Sequence, residues 1–73
     1  MLIEEANKIS IMLKSGKTII TDRSDGNKRF TVECAELIGK WLKGKKGKNV
    51  VIFQAKNSTI FIRISEIEAI EIS

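Results

Sequence analysis

The chain has no histidine, no proline and no tyrosine, and it has one cysteine among its 73 residues. Without histidine, a structural zinc site cannot be assembled around Cys34, and this thiol has no imidazole to activate it as a nucleophile. A single cysteine also excludes an intramolecular disulfide. The lack of proline, in contrast, leaves every strand free to pair.

Long apolar runs are also missing, since none exceeds five residues. A membrane-spanning helix needs about 20 such residues, so the sequence predicts none. The first eight residues, MLIEEANK, are acidic and lack the apolar core of a signal peptide. A free thiol fits a reducing compartment, and we therefore expect a cytoplasmic protein.

Residues 1–73 are enough for one small domain. A chain of this length buries only about 60% of its unfolded surface, which makes a monomer marginally stable. Small domains are usually stabilised by disulfides, a structural metal or self-association. The first two are excluded here, and self-association remains.

Positive charge is concentrated in one segment, Lys40–Lys48, with the sequence KWLKGKKGK, which we call the Lys/Gly segment. It holds five lysines and no acid, whereas the other 64 residues carry 8 basic and 9 acidic side chains. The formal net charge of +4 is therefore local. Such a patch suits an anionic partner, for example a phosphate backbone, a nucleotide or an acidic protein surface.

Isoleucine, with 13 residues, is common here and favours strands. Apolar and polar residues alternate over Lys8–Leu13, which indicates a half-buried strand. Ser15-Gly16 supplies a turn and Thr18–Thr21 a returning strand, so the pattern predicts a β-hairpin. The polar residues of Asp22–Arg29 then predict a loop.

A helix is predicted over Phe30–Lys43. Thr31 suits the N-cap position, and Gly44 suits a left-handed C-terminal cap. An apolar stripe at helical spacing indicates the face that packs on the core. Its members are Cys34, Leu37, Ile38, Trp41 and Leu42.

Three further strands are predicted after the helix. The first is Asn49–Ala55, where the continuous apolar run Val50–Phe53 indicates cover on both faces. The second, Thr59–Ile64, alternates strictly. Ser65-Glu66 interrupts the pattern as a kink or short turn, and Glu68–Ser73 forms the last strand.

The predicted order is β-β-α-β-β-β, an α+β domain with an antiparallel sheet of four to five strands and one amphipathic helix packed on one face. One helix covers only one face of such a sheet. Apolar side chains on the other face would need a different cover, and we predict a homo-oligomer, favouring a dimer, through sheet faces or edge strands. These side chains are Ile20, Met12, Phe61 and either Phe53 or Ile52.

The sequence favours a protein that is not an enzyme and has no metal or cofactor. Cys34 falls on the apolar stripe, which favours an inert core cysteine. Asp22 and Asp25 in the segment DRSDG favour an ordinary turn, because the spacing and the distal glutamate of a calcium loop are missing. No glycine-rich phosphate loop precedes the helix.

The Lys/Gly segment is the one candidate binding site, although a merely solvated loop is the competing interpretation. Its glycines would bring ammonium groups and backbone amides near one anion. Trp41 would either stack on a base or pack in the core. If the loop before the helix converges on the same end of the sheet, its arginines join the site. The candidate anion-binding residues are Lys43, Lys45, Lys46, Lys48, Arg23 and Arg29.

Three segments together resemble the small β-β-α-β-β proteins encoded by phages and mobile elements of Gram-positive bacteria. They are the hairpin MLKSGKTII, the amphipathic helix ECAELIGKWLK and the closing strand pair NSTIFIRISEIEAIEI. The resemblance implies a protein of the bacterial cytoplasm that acts by stoichiometric binding. It would inhibit a host defence nuclease, sequester a signalling nucleotide, or assist transcription or replication.

Two functions follow from these observations. The first is a non-enzymatic, homo-oligomeric binding protein that captures nucleic acid or a phosphorylated signalling nucleotide through the Lys/Gly segment. The alternative is a stoichiometric protein inhibitor of a host defence system, which binds through an exposed sheet face or edge strand. In that case the lysines would only steer the encounter.

Overall fold

The structure, a computed structural model, describes residues 5–25, 28–44, 50–54 and 57–73. Within these ranges the chain forms one α-helix and five strands in the order β-β-α-β-β-β, with antiparallel pairing throughout. The predicted α+β class and element order are confirmed. The elements are β1 (Lys8–Leu13), β2 (Thr18–Asp22), α1 (Phe30–Lys43), β3 (Val50–Gln54), β4 (Thr59–Arg63) and β5 (Ile67–Ile72).

The described strands divide between two sheets, one with the order β2-β1-β5 and the other formed by β3 and β4. In the first, the predicted β1–β2 hairpin is confirmed. Gly16 has a φ of 94°, a conformation that glycine adopts without steric cost. The turn is closed by the Leu13 amide, which donates to the Lys17 carbonyl oxygen over 2.8 Å.

The pairing of β5 with β1 contains one irregularity. Met12 pairs with Ala69 and Leu13 pairs with Ile67, so the register shifts at Glu68. One extra residue on one strand is the defining feature of a β-bulge. The charged side chain of Glu68 thus lies at a break in the ladder.

The two-stranded sheet is buried on one face only. Val51 and Phe53 are buried, whereas Val50 and Ile52 are 43% and 50% exposed. The prediction that Val50–Phe53 is covered on both faces is therefore wrong. The physical reason is that the core lies on one side of β3 and no described element covers the other.

A 3-10 turn at Ile64–Glu66 joins the two sheets, at the predicted interruption of the strand pattern. Its first residue, Ile64, is buried in the core. The Lys14 amide donates to the Glu66 carbonyl oxygen over 2.8 Å. This hydrogen bond fixes the β1–β2 turn beside the 3-10 turn.

The helix has the predicted bounds, but its N-cap is Arg29 and not Thr31. The carbonyl oxygen of Arg29 accepts the amide of Glu33 over 2.8 Å, so helical hydrogen bonding begins two residues before Thr31. Arg29 makes no side-chain capping bond. No helix in the described part of the chain is long and apolar enough to cross a membrane.

The packed face of α1 consists of Phe30, Glu33, Cys34 and Leu37, with Ile38 and Trp41 partly buried. Leu42 is 75% exposed, so its place on the predicted stripe is wrong. Leu42 follows Trp41 by one residue and is turned about 100° around the helix axis. The helix therefore ends with Trp41 on the core side and Leu42 in solvent.

One hydrophobic core connects the helix with both sheets. The rings of Phe30 and Phe53 meet edge to face with their centroids 6.3 Å apart. Aromatic pairs prefer this geometry, which contributes beyond the area buried. The buried apolar residues are Ala6, Ile9, Ile11, Phe30, Cys34, Leu37, Val51, Phe53, Ile62, Ile64 and Ile67.

Thr21 supplies a test of this core. Its side chain is 2% exposed, and its hydroxyl has no hydrogen-bond partner among the described residues. We expect Thr21→Val to raise the free energy of unfolding by about 1 kcal/mol, because it removes a buried polar group of similar size. Urea unfolding measures the change. Thr18→Val, at an exposed position of the same strand, is the control and should stay within about 0.5 kcal/mol of wild type. Destabilisation by Thr21→Val would contradict the assignment.

Candidate functional site

The candidate anion-binding residues are separated along α1. Lys43 is exposed at the last helical residue, and Arg29 precedes the first. Arg23 lies beside Phe30, also at the start of the helix. Fourteen helical residues span about 21 Å, so the structure does not bring the two arginines together with Lys43. Lys45, Lys46 and Lys48 lie outside the described residues.

Arg23 has a role in the fold. Its Nε and Nη2 atoms both donate to the carbonyl oxygen of Ala6, over 2.9 and 2.7 Å. Its guanidinium carbon lies 4.8 Å from the centroid of the Phe30 ring, within range of a cation–π interaction. The side chain thus joins the segment before β1 to the start of the helix.

Arg29 is engaged more weakly. Its Nη2 lies 3.9 Å from Glu36 Oε1, and both side chains are more than half exposed. An ion pair of this kind contributes little to stability, because water screens the charges. Both arginines therefore lie at the start of the helix and contact other residues of the same chain.

The end of α1 borders a cleft of about 130 Å³. Three elements form it: the β1–β2 turn, the last helical turn with its cap, and the 3-10 turn that leads into β5. The lining residues are Lys14, Trp41, Gly44, Ile64, Ser65 and Ile67.

Gly44 shapes one wall of the cleft. It has a φ of 83° and a ψ of −142°, and its amide donates to the Trp41 carbonyl oxygen over 3.2 Å. The predicted left-handed cap is therefore wrong: the φ of Gly44 is positive, but its ψ lies outside the left-handed helical region. This conformation is strained for other residues, so glycine is required at the point where the chain leaves the helix.

Trp41 packs on the core, which is one of the two roles that the sequence left open; stacking on a base stays a prediction. Its side chain is partly buried and packs against the core cluster. It also lines the cleft. The indole is thus held in place by the core while part of it remains accessible to a ligand.

The charges near the cleft are mostly positive. Lys14, Lys40 and Lys43 are exposed, and Lys14 is part of the lining. The C-terminal end of a helix carries about half a negative charge, which opposes anion binding. Glu66, exposed beside Ser65, adds a carboxylate nearby. The lysines must outweigh both contributions for an anion to bind here.

Cys34 is buried, as predicted for a core cysteine. Burial raises the pKa of its thiol to about 11; the charge of Arg23 has a smaller lowering effect and that of Glu33 a smaller raising effect. Glu33 is itself buried, and its Oε1 accepts the backbone amide of Gln54 over 3.0 Å. The thiol is therefore neutral at physiological pH, and the neighbouring carboxylate anchors α1 to β3.

Asp22 is part of a turn. Its Oδ1 accepts the hydroxyl of Ser24 over 2.7 Å and the amide of Ser24 over 2.8 Å. These two hydrogen bonds, the hydroxyl first, lower the pKa of the Asp22 carboxyl below its usual value. The described residues contain no group of three acidic or cysteine side chains placed to hold a metal ion.

A second surface is partly apolar, and we call it the hairpin face. It consists of the outward side chains of β3 and β4: Val50, Ile52, Gln54, Thr59, Phe61 and Arg63. Ile52 lies directly opposite Phe61, and these side chains are 50% and 68% exposed. Of the side chains predicted to need cover, Ile52 and Phe61 lie here. Ile20 is 60% exposed on the other sheet, where Met12 is partly buried, whereas Phe53 is in the core.

Sequence reasoning missed Lys14 and Ser65 as members of the cleft. The break in the strand pattern at Ser65-Glu66 predicts a turn, but it does not predict which segment of the chain lies beside that turn. The hydrogen bond from Lys14 to Glu66 supplies that neighbour. This contact crosses about fifty residues of sequence, which periodicity does not detect.

Comparison of the chain with protein-family models found no match, and comparisons with curated proteins and with solved structures found no significant match. Function is therefore inferred from the residues of this chain and their arrangement.

The role of Arg23 is testable with a matched pair of variants. Arg23→Gln removes the two hydrogen bonds to Ala6 and the contact with Phe30, and we expect it to lower the free energy of unfolding by roughly 2 kcal/mol. Lys28→Gln removes the same charge from an exposed site and should change stability by less than about 0.5 kcal/mol. Urea unfolding followed by circular dichroism compares them. Equal stability of the two variants would show that Arg23 does not anchor the fold.

Proposed function

We propose that this protein is a non-enzymatic binding protein that captures an anionic partner, nucleic acid or a phosphorylated nucleotide, at the C-terminal end of α1. The observation that carries the proposal is the cleft beside Trp41 with Lys14 in its lining. Lys40 and Lys43 are exposed at the same end of the helix. After Gly44 the sequence continues with the rest of the Lys/Gly segment, which holds Lys45, Lys46 and Lys48 and lies outside the described residues.

The reactive side chains of the described residues support binding over catalysis. The Cys34 thiol is buried and its pKa is raised to about 11, so it is not a nucleophile at neutral pH. Glu33 is bonded to the backbone of β3, and Asp22 closes a turn. Stoichiometric capture is also what the resemblance to small phage proteins implies.

Electrostatics predicts how such binding would respond to salt. Each phosphate neutralised by a lysine releases a counterion, so affinity falls as salt rises. If Lys43, Lys45, Lys46 and Lys48 each contact one phosphate of a single strand, the affinity falls roughly 50-fold between 50 and 200 mM salt. A solvated loop without a partner would show no such dependence.

The test compares two fourfold lysine replacements. In the first variant Lys43, Lys45, Lys46 and Lys48 become glutamine; in the control Lys8, Lys17, Lys28 and Lys56 become glutamine. Both variants lose the same charge, so general charge attraction weakens equally in the two. We expect only the first to lose affinity for a single-stranded oligonucleotide and most of its salt dependence, because only the first loses the proposed phosphate contacts. Fluorescence anisotropy at two salt concentrations measures this.

The proposal fails if wild type binds neither oligonucleotides nor nucleotides at low salt. It also fails if the two variants lose affinity equally, because general charge attraction would then explain the binding.

We further propose that the hairpin face mediates the homo-oligomer, as a contact with a second copy of the chain. Five of its six outward side chains are uncharged, and three of these are apolar. Arg63 lies at the end of the face beside Val50. An antiparallel two-fold pairing would place Arg63 near Gln54 of the other copy and keep the two guanidinium groups apart.

Sedimentation equilibrium tests this contact. We expect wild type to reach twice the protomer mass of 8.2 kDa, and the double variant Ile52→Thr, Phe61→Thr to remain at that mass. Ile20→Thr, on the other sheet, is the control and should still associate. A monomeric wild type at high concentration would contradict self-association. The exposed face would then favour the alternative function, inhibition of a host defence protein through this surface.

A further inference from the structure

We infer that the cleft beside Trp41 binds one unpaired six-membered nucleobase ring, as found in a pyrimidine nucleotide. This inference rests on the proposed function, because it names the part of the anionic ligand that enters the cleft. The site consists only of described residues at the end of α1, the β1–β2 turn and the 3-10 turn.

The size of the cleft sets the first limit. Its volume is about 130 Å³. An apolar cavity of about 150 Å³ holds a benzene molecule, so this open cleft has room for one ring. With the ring in the cleft, the sugar and phosphates of a bound nucleotide extend beyond it.

The walls favour an aromatic ring over an aliphatic group. Trp41 offers an indole surface, and Ile64 and Ile67 supply apolar contacts. Stacking of a base on an aromatic side chain contributes substantially to single-strand binding and tolerates every base, because each has a π-face. A ringless polyphosphate has nothing that could replace this contact.

Two polar groups of the lining suit a nucleotide. The Ser65 hydroxyl both donates and accepts hydrogen bonds, as the edge of a pyrimidine requires. Lys14 is exposed and carries a positive charge at the same cleft. A base and its phosphate therefore each have a chemically complementary group in the lining of the cleft.

The cleft is formed before any ligand arrives. The hydrogen bond from Lys14 to Glu66 holds two of its walls together, and the packing of Trp41 on the core holds the third. A preformed site loses less conformational entropy on binding. Paired bases are stacked inside a duplex and cannot enter, so only single strands or free nucleotides qualify.

Trp41 is the only tryptophan, so its fluorescence reports on the cleft directly. The probes are uridine triphosphate, a thymidine 12-mer, inorganic tripolyphosphate and a 12-base-pair duplex. We expect the first two to quench Trp41, with uridine triphosphate binding at least about tenfold tighter than tripolyphosphate.

A variant that fills the cleft provides the second measurement. Ser65→Leu should lower the affinity for uridine triphosphate about tenfold and leave that for tripolyphosphate unchanged. Ser58→Leu, at an exposed position near the β3–β4 turn, is the matched control and should change neither affinity. If Ser65→Leu does not fold, the comparison of ringed and ringless probes on wild type still decides the question.

The outcomes separate this inference from the proposed function. Equal affinity for uridine triphosphate and tripolyphosphate, without quenching of Trp41, would overturn the ring site and leave anion capture standing. No binding of any probe would overturn both. Quenching by the nucleotide alone supports a free nucleotide as the source of the ring, and quenching by the 12-mer as well supports a single strand.

Discussion

Phe30 is the side chain at which the helix, the two-stranded sheet and the end of β2 come together. Its ring meets Phe53 of β3 edge to face, and the guanidinium of Arg23, directly after β2, lies over it. The two sheets share no ladder among the described strands, so side-chain packing must hold them in place. The packing of the start of α1 against β3 and the end of β2 therefore depends on this contact.

The basic residues divide into two groups with different chemistry. Arginine supplies a planar guanidinium that stacks on rings and donates several hydrogen bonds at once, which is how Arg23 holds Ala6 and Phe30. Lysine keeps a strongly hydrated point charge on a flexible stem. The lysines at the end of α1 are exposed. A structural cation, Arg23, thus lies at the start of the helix, and exposed lysines lie at its end.

Local pattern was enough to predict the order of elements, the β1–β2 hairpin and the bounds of α1, because alternation and helical spacing are properties of neighbouring residues. It did not predict that Val50 and Ile52 are exposed, since a continuous apolar run looks the same whether one face or two are covered. The cleft was also beyond local pattern. Trp41 was recognised, but Lys14 and Ser65 join it only through packing and one long-range backbone hydrogen bond.

The register shift at Glu68 has a consequence for the behaviour of this chain in concentrated solution. Among the described strands, β5 pairs on one side only, which leaves a row of backbone groups open to strands of other molecules. Regular, isoleucine-rich edges of this kind are templates for fibre growth. A bulge with a charged side chain twists the edge and interrupts the template, so growth along β5 would require a glutamate to pair out of register. In a chain with 13 isoleucines, the bulge and its glutamate are therefore features of the kind that oppose edge-to-edge pairing.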